Sequence, residues 1–327
     1  MQVDRLNTLL IILSLGLSIL LPFELFLIGY AVLGPLHYFT EINWIRDRRF
    51  FISSKAWVYA VMIIALLITL PYLVRLDFAQ SVLGNTATSI EEMLNSKIYT
   101  TGYFLIIALG FVLLFLKKWT HRVLALLSCI VLAFLLNDFS FYHIIIGIFL
   151  PTLIHVYLFT LLFMYYGFKK SKNNFTLLNC ILMILVPVAI LLLPLNGENF
   201  FFDSAVEASY TTNNFHLLNT NISKYLGIND GSTFNFRGTW EIKIQIFITF
   251  AYIYHYLNWF SKTTVIGWHK NMTKQSTLLI AAFWIISIIL YAYDYALGFT
   301  LLLFVSLVHV FLELPLNYMT LRSIFKK

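Results

Sequence analysis

Apolar runs long enough to cross a membrane recur along the whole sequence, separated by short polar connections in which lysine and arginine cluster. About 20 helical residues span a bilayer core, where every backbone N–H and C=O must be paired within its own segment. A chain made of such runs is held to one fold class, an all-α, polytopic transmembrane helix bundle. Composition agrees, since 60% of the 327 residues are hydrophobic and 11% charged, against about 25% charged in soluble domains. The net charge of +7 then speaks to topology, and no nucleic-acid partner is expected. Cys129 and Cys180 both lie within apolar runs, which leaves no basis for a disulfide framework or a thiolate zinc site. The first run has no small-residue cleavage site and reads as a retained helix.

Breaks within the longer runs give about ten helices. Pro22 and Glu24 split the first run into helices at 8–21 and 23–44, proline being unable to donate within a helix. Further helices are expected at 56–73 and 98–116, and a fifth and sixth within 123–168, divided at Asn137, Asp138 and Ser140. The last four fall at 175–194, 242–260, 277–293 and 298–318. A polar segment at 77–97 carries Glu91 and Glu92, and the one substantial polar stretch, 195–241, is expected to form an aromatic-rich outer cap. Residues 1–327 thus read as a single integral membrane domain. With ten helices, Arg5 and the basic residues in 46–55, 117–122, 169–172, 262–274 and 322–327 fall on one face, opposite Asp77, Glu91, Glu92, Glu198, Asp203 and Glu207. Positive residues mark the cytoplasmic side, so both termini are expected in the cytoplasm.

Four of the eight histidines, His37, His155, His255 and His309, lie inside the second, sixth, eighth and tenth of these helices, all running in the same direction. Imidazoles within hydrocarbon are expensive, and ligation of a metal offsets that cost. The four are therefore candidate metal ligands. The plainer alternative is four polar residues hydrogen-bonded to neighbouring helices. His121 and His269 belong to connections, His216 to the outer stretch, and His143 to the outer end of the sixth helix. Imidazoles with nearby carboxylates suit iron, zinc or copper. Glu41 and Glu313 each follow a candidate ligand by four residues, so each shares its helix face. They are candidate catalytic residues, as direct ligands or as acceptors from a ligand's second N–H. Pairing with Arg46 or Arg322 is the alternative. Tyr38, Tyr254, Tyr256 and Trp259 flank His37 and His255 in sequence and are candidate walls of a mostly apolar substrate pocket. No phosphate-binding loop, dinucleotide fingerprint, nucleophile elbow or His-Glu-x-x-His motif occurs.

With single histidines on several helices of a chain of this length, the sequence resembles the bacterial Brp/Blh-type carotene-cleaving membrane dioxygenases. It departs from them at Gly34-Pro35-Leu36-His37-Tyr38, with no His-Gly-x-x-Asp-His element. The resemblance implies histidine ligation of non-haem iron (Fe2+) and a bacterial inner-membrane location; it does not carry carotene specificity. The expected function is a metal-dependent membrane oxygenase acting on a lipophilic small molecule such as a carotenoid or isoprenoid, with the lipid bilayer as its other partner. Two further classes stay open. One is a transporter or channel coupling protons or ions through buried His and Glu, and the other a zinc-dependent membrane lipid hydrolase.

Overall fold

The computed structural model describes residues 2–52, 54–94 and 96–326, with the backbone alone at 96 and 271. Its regular structure is helical throughout, with no strand among the described residues. The long elements are α1 (Gln2–Leu20), α2 (Glu24–Asp47), α3 (Lys55–Val74), α4 (Ser96–Phe115), α5 (Trp119–Leu136), α6 (Ser140–Ser171), α7 (Asn174–Leu192), α8 (Thr239–Ser261), α9 (Lys274–Tyr293) and α10 (Tyr295–Phe325). They match the expected ten in order. Among the described residues, nine are long and apolar enough to cross a membrane, and α8 is not among the nine. Lys243, Gln245, His255, Asn258 and three tyrosines lower its hydropathy, yet every residue from Ile248 to Tyr256 is buried.

The chain divides into two compact units. In the first, Met1–His37 with Thr152–Lys270, α1 packs along α8 and α7. The buried residues of α1 are Asn7, Ile11, Ser14 and Ser18, one stripe at helical spacing whose small serines permit close helix approach. Polar contacts fix the register: Tyr254 donates to Asn7 Oδ1 at 3.2 Å and Thr8 to Asn179 Oδ1 at 2.6 Å. Pro22 ends the first run, and its carbonyl accepts from Gln245 Nε2 at 3.2 Å and from the Thr249 hydroxyl. The outer stretch contains short helices at Ser204–Thr212 and His216–Tyr225. It packs through aromatic rings, with Phe23 4.8 Å from Phe202 and 4.9 Å from Tyr210, and Phe26 5.0 Å from Phe215. Tyr210 also donates to Gln245 Oε1 at 2.5 Å.

In the second unit, Tyr38–Pro151 with Asn271–Lys327, α10 packs against α3, α4 and α9, and α5 lies on α4. Trp57, Val61, Ala65 and Ile68 of α3 share a core with Ile106 of α4 and Phe311 of α10. In a bilayer, whose lipid tails are as apolar as these side chains, close packing and not water exclusion would hold such a core. Gly110 illustrates the fit, because a Cβ there would lie 3.1 Å from the Trp57 ring. The polar segment after α3 forms helices Asp77–Leu83 and Asn85–Met93, joined at Gly84 with φ +51°. Arg75 clasps Glu91 at 2.8 and 2.6 Å, and Lys97 reaches Asp138 at 2.9 Å. Past α2, Arg49, Phe50 and Phe51 are all left-handed, with φ of 52°, 56° and 53°. That conformation costs roughly 1–2 kcal/mol per non-glycine residue, and packing of the Phe50 and Phe51 rings on the core offsets part of it.

Candidate metal centre

Helix α8 holds His255 in a fully packed environment, with partners on both ring nitrogens. Thr160 Oγ1 lies 2.8 Å from Val156 O and 2.8 Å from His255 Nδ1. A hydroxyl has one proton, and donating it to the carbonyl leaves the oxygen to accept from His255 Nδ1–H. That assignment puts the lone pair of neutral His255 on Nε2, which stands 3.0 Å from His37 Nε2. Two arrangements satisfy that distance. His37 Nε2–H can donate to His255, leaving His37 Nδ1 as the ligating atom. Alternatively both nitrogens can face one ion, since ligands at right angles and about 2.1 Å from a metal lie about 3.0 Å apart.

His155 enters from an unusual stretch of backbone. Within α6, Ile145–Phe159 is wound as a π-helix containing Pro151, and Thr152 departs from helical geometry at φ −110°, ψ −106°. Proline has no N–H to give, and wide π turns occur disproportionately at functional sites. The α-helical winding resumes at Thr160. The His155 ring lies 5.1 Å from the His255 ring. His37 packs between Tyr256 and Trp259, each 5.4 Å away. His309, on α10, is stacked on Tyr38 at 4.2 Å with 24° between the planes.

His37, His155 and His255 are buried within the first unit, with His255 Nε2 3.0 Å from His37 Nε2 and the His155 ring 5.1 Å from the His255 ring, so these three imidazoles are the candidate ligands that the unit brings together. Nitrogens sharing one ion at about 2.1 Å stand roughly 3–4 Å apart, a spacing that the His37–His255 pair meets at 3.0 Å. Three of the four histidines singled out from sequence therefore lie together in the first unit, and the fourth, His309, is buried on α10 in the second. Glu41 and Glu313 are both buried, at 2% and 4% exposure, and lie within electrostatic range of one another. Arg46 is directed to Asn43 Oδ1 at 2.7 Å and Asp47 at 3.5 Å, and the Arg322 guanidinium lies over the Phe115 ring.

The candidate wall residues do not share one environment. Tyr38, Tyr256 and Trp259 contact histidine rings. Tyr254 instead faces α1, with its hydroxyl on Asn7 and 3.6 Å from Met164 Sδ. Of the remaining histidines, His143 sits on Thr100 Oγ1 at 3.0 Å and Asn137 O at 2.8 Å, and His269 on Thr263 O at 3.1 Å. Sequence reasoning passed over two polar residues of this region. Thr160 orients His255 and carries no sequence signal beyond being a hydroxyl in an apolar run. Asn317 is buried at 1% exposure and extends the stripe His309, Glu313 by one more turn, a spacing visible in the sequence.

No family model matches this chain, and no curated protein or solved structure shows significant similarity to it.

Proposed function

We propose that this protein is a membrane-embedded metalloenzyme, a non-haem iron oxygenase acting on a lipophilic polyene or isoprenoid. The observation that carries the reading is the cluster of three buried imidazoles within the first unit, where His255 Nε2 stands 3.0 Å from His37 Nε2 and the His155 ring 5.1 Å from the His255 ring. Burial of three imidazoles among apolar helices is costly unless something ligates them. Iron held there would supply the redox chemistry of O2. The protein's own residues would do the rest: Thr160 and His255 set the orientation of His37, and Tyr256 and Trp259 offer flat apolar faces beside it. Cleavage of one C=C bond by O2 places one oxygen on each new carbonyl and requires no external reductant. The resemblance of the histidine pattern to carotene-cleaving membrane dioxygenases supports iron as the metal and does not carry the substrate.

Elemental analysis of the full chain, purified in mild detergent, tests the reading directly. We expect near-stoichiometric iron, lost on replacing any one of His37, His155, His255 or His309 by Ala and kept in His121→Ala and His216→Ala. The iron-loaded protein should take up O2 only with a polyene or isoprenoid present, giving two carbonyl products per O2. Zinc in place of iron would move the assignment to a lipid hydrolase that activates water. Absence of any metal would favour the transporter class, for which the hydrogen-bonded series Thr160, His255, His37 offers a proton path.

A further inference from the structure

A second site of different character lies in the second unit, on α4, α5 and α10. A cavity of about 370 Å³ opens among these helices, lined by Ile107, Ala108, Phe111, Ala125, Cys129 and Tyr318 together with further apolar residues. Small side chains at 108 and 125 leave this volume open. The Tyr318 hydroxyl is spent on Ile107 O at 2.7 Å, so the lining presents almost nothing for a polar ligand. A second cavity of about 350 Å³ shares Phe111 and Tyr318 with the first and ends at Arg322 and Phe325. Sharing those two residues, the cavities adjoin as a groove whose lining is apolar apart from Arg322 in the second.

The basic end has the composition of a membrane–water boundary. Arg322 lies in the last turn of α10, exposed, with its guanidinium 5.4 Å over the Phe115 ring. Lys117 and Lys118 follow α4 and are exposed, as are Trp119 at 74% and Phe325 at 79%. Arg122 is committed otherwise, its Nε donating to Leu116 O at 2.7 Å. Exposed aromatic rings beside lysine and arginine mark the headgroup level, and basic pockets between helices at that level recruit anionic lipid.

We propose that this groove binds one anionic glycerophospholipid, with an acyl chain along Phe111 and Ala125 and its phosphate at Arg322, supported by Lys117 and Lys118. Charge decides the occupant. A zwitterionic lipid would fill the apolar part equally well but would leave the cationic end uncompensated, whereas a phosphodiester of net negative charge satisfies both parts. The proposal is independent of the metal centre, whose histidines do not line the groove.

Native mass spectrometry of the delipidated full chain, titrated with phosphatidylglycerol or phosphatidylcholine of identical acyl chains, reads the binding. Phosphatidylglycerol should bind more tightly. Arg322→Gln, a change at an exposed position, should weaken its binding about fivefold while leaving phosphatidylcholine unaffected. Ala125→Phe, which fills the groove, should weaken both lipids. Equal binding of the two lipids to the unaltered protein would overturn the proposal, as would an Arg322→Gln variant that retains the full preference. A dimer that buries this face and excludes lipid would overturn it as well.

Discussion

A single hydroxyl decides how His255 meets His37. Thr160 donates to Val156 O and thereby accepts from His255 Nδ1, which turns the His255 lone pair toward His37. Valine at 160 keeps the shape and removes the acceptor, so His255 could adopt the other tautomer. Loss of such an outer partner typically costs about 10–100-fold in metal affinity or activity. Thr160→Val should therefore lower metal affinity by that range in a chelator competition, while Thr160→Ser retains it; equal affinities would show that Thr160 does not orient the site. Residue identity was legible here where chemistry is rare: an imidazole deep in an apolar run stands out, and His37, His155 and His255 do meet within one unit. Side-chain direction was less legible. Tyr254 and Tyr256 flank His255 in sequence, but successive helical residues are about 100° apart. One tyrosine therefore turns to Asn7 and the other to His37.

Among the elements, α6 shows what periodicity can and cannot convey. Its existence and its division from α5 near Asn137 were evident from the apolar runs and the polar break. Its winding was not, because a π stretch and an α-helix share the same apolar composition. The π turns surround Pro151, and His155 lies four residues further on. In an α-helix, each residue added to or removed from a turn rotates the rest of the helix by about 100°, so the winding governs where the His155 ring points. Pro151→Ala restores a backbone donor and allows regular helix. Metal content should fall sharply in this variant while thermal stability holds or rises, measured by elemental analysis alongside a melting curve. Unchanged metal content would show that the π turns do not position His155. Helix α10 was also longer than expected, Tyr295–Phe325 against 298–318. Asp294 Oδ1 caps it by accepting from Leu297 N at 2.7 Å, and Arg322 sits in its last turn, where a cation suits the helix dipole.

At the scale of the molecule, charge along the chain carries information that no single helix does. Nine described helices are long and apolar enough to cross a membrane. The tenth, α8, is less apolar because it carries more polar residues, and these are turned inward: Gln245, Thr249, His255 and Asn258 are all buried. Hydropathy averages over a helix and cannot distinguish a polar residue facing protein from one facing solvent. At 23 residues, α8 is about 35 Å long at 1.5 Å per residue, enough for a bilayer core of about 30 Å. Counting it as a crossing has a consequence that omitting it does not. With ten crossings, the basic clusters at 117–122, 169–172 and 262–274 fall on the same side as the start of α1 and the end of α10. With nine, the two ends lie on opposite sides, and the basic residues after α8 share a face with the acidic outer stretch, contrary to the positive-inside tendency. Reporter fusions should therefore place both chain ends in the cytoplasm and an insertion beside Asn213 outside. Opposite locations for the two ends would remove α8 from the set of crossings.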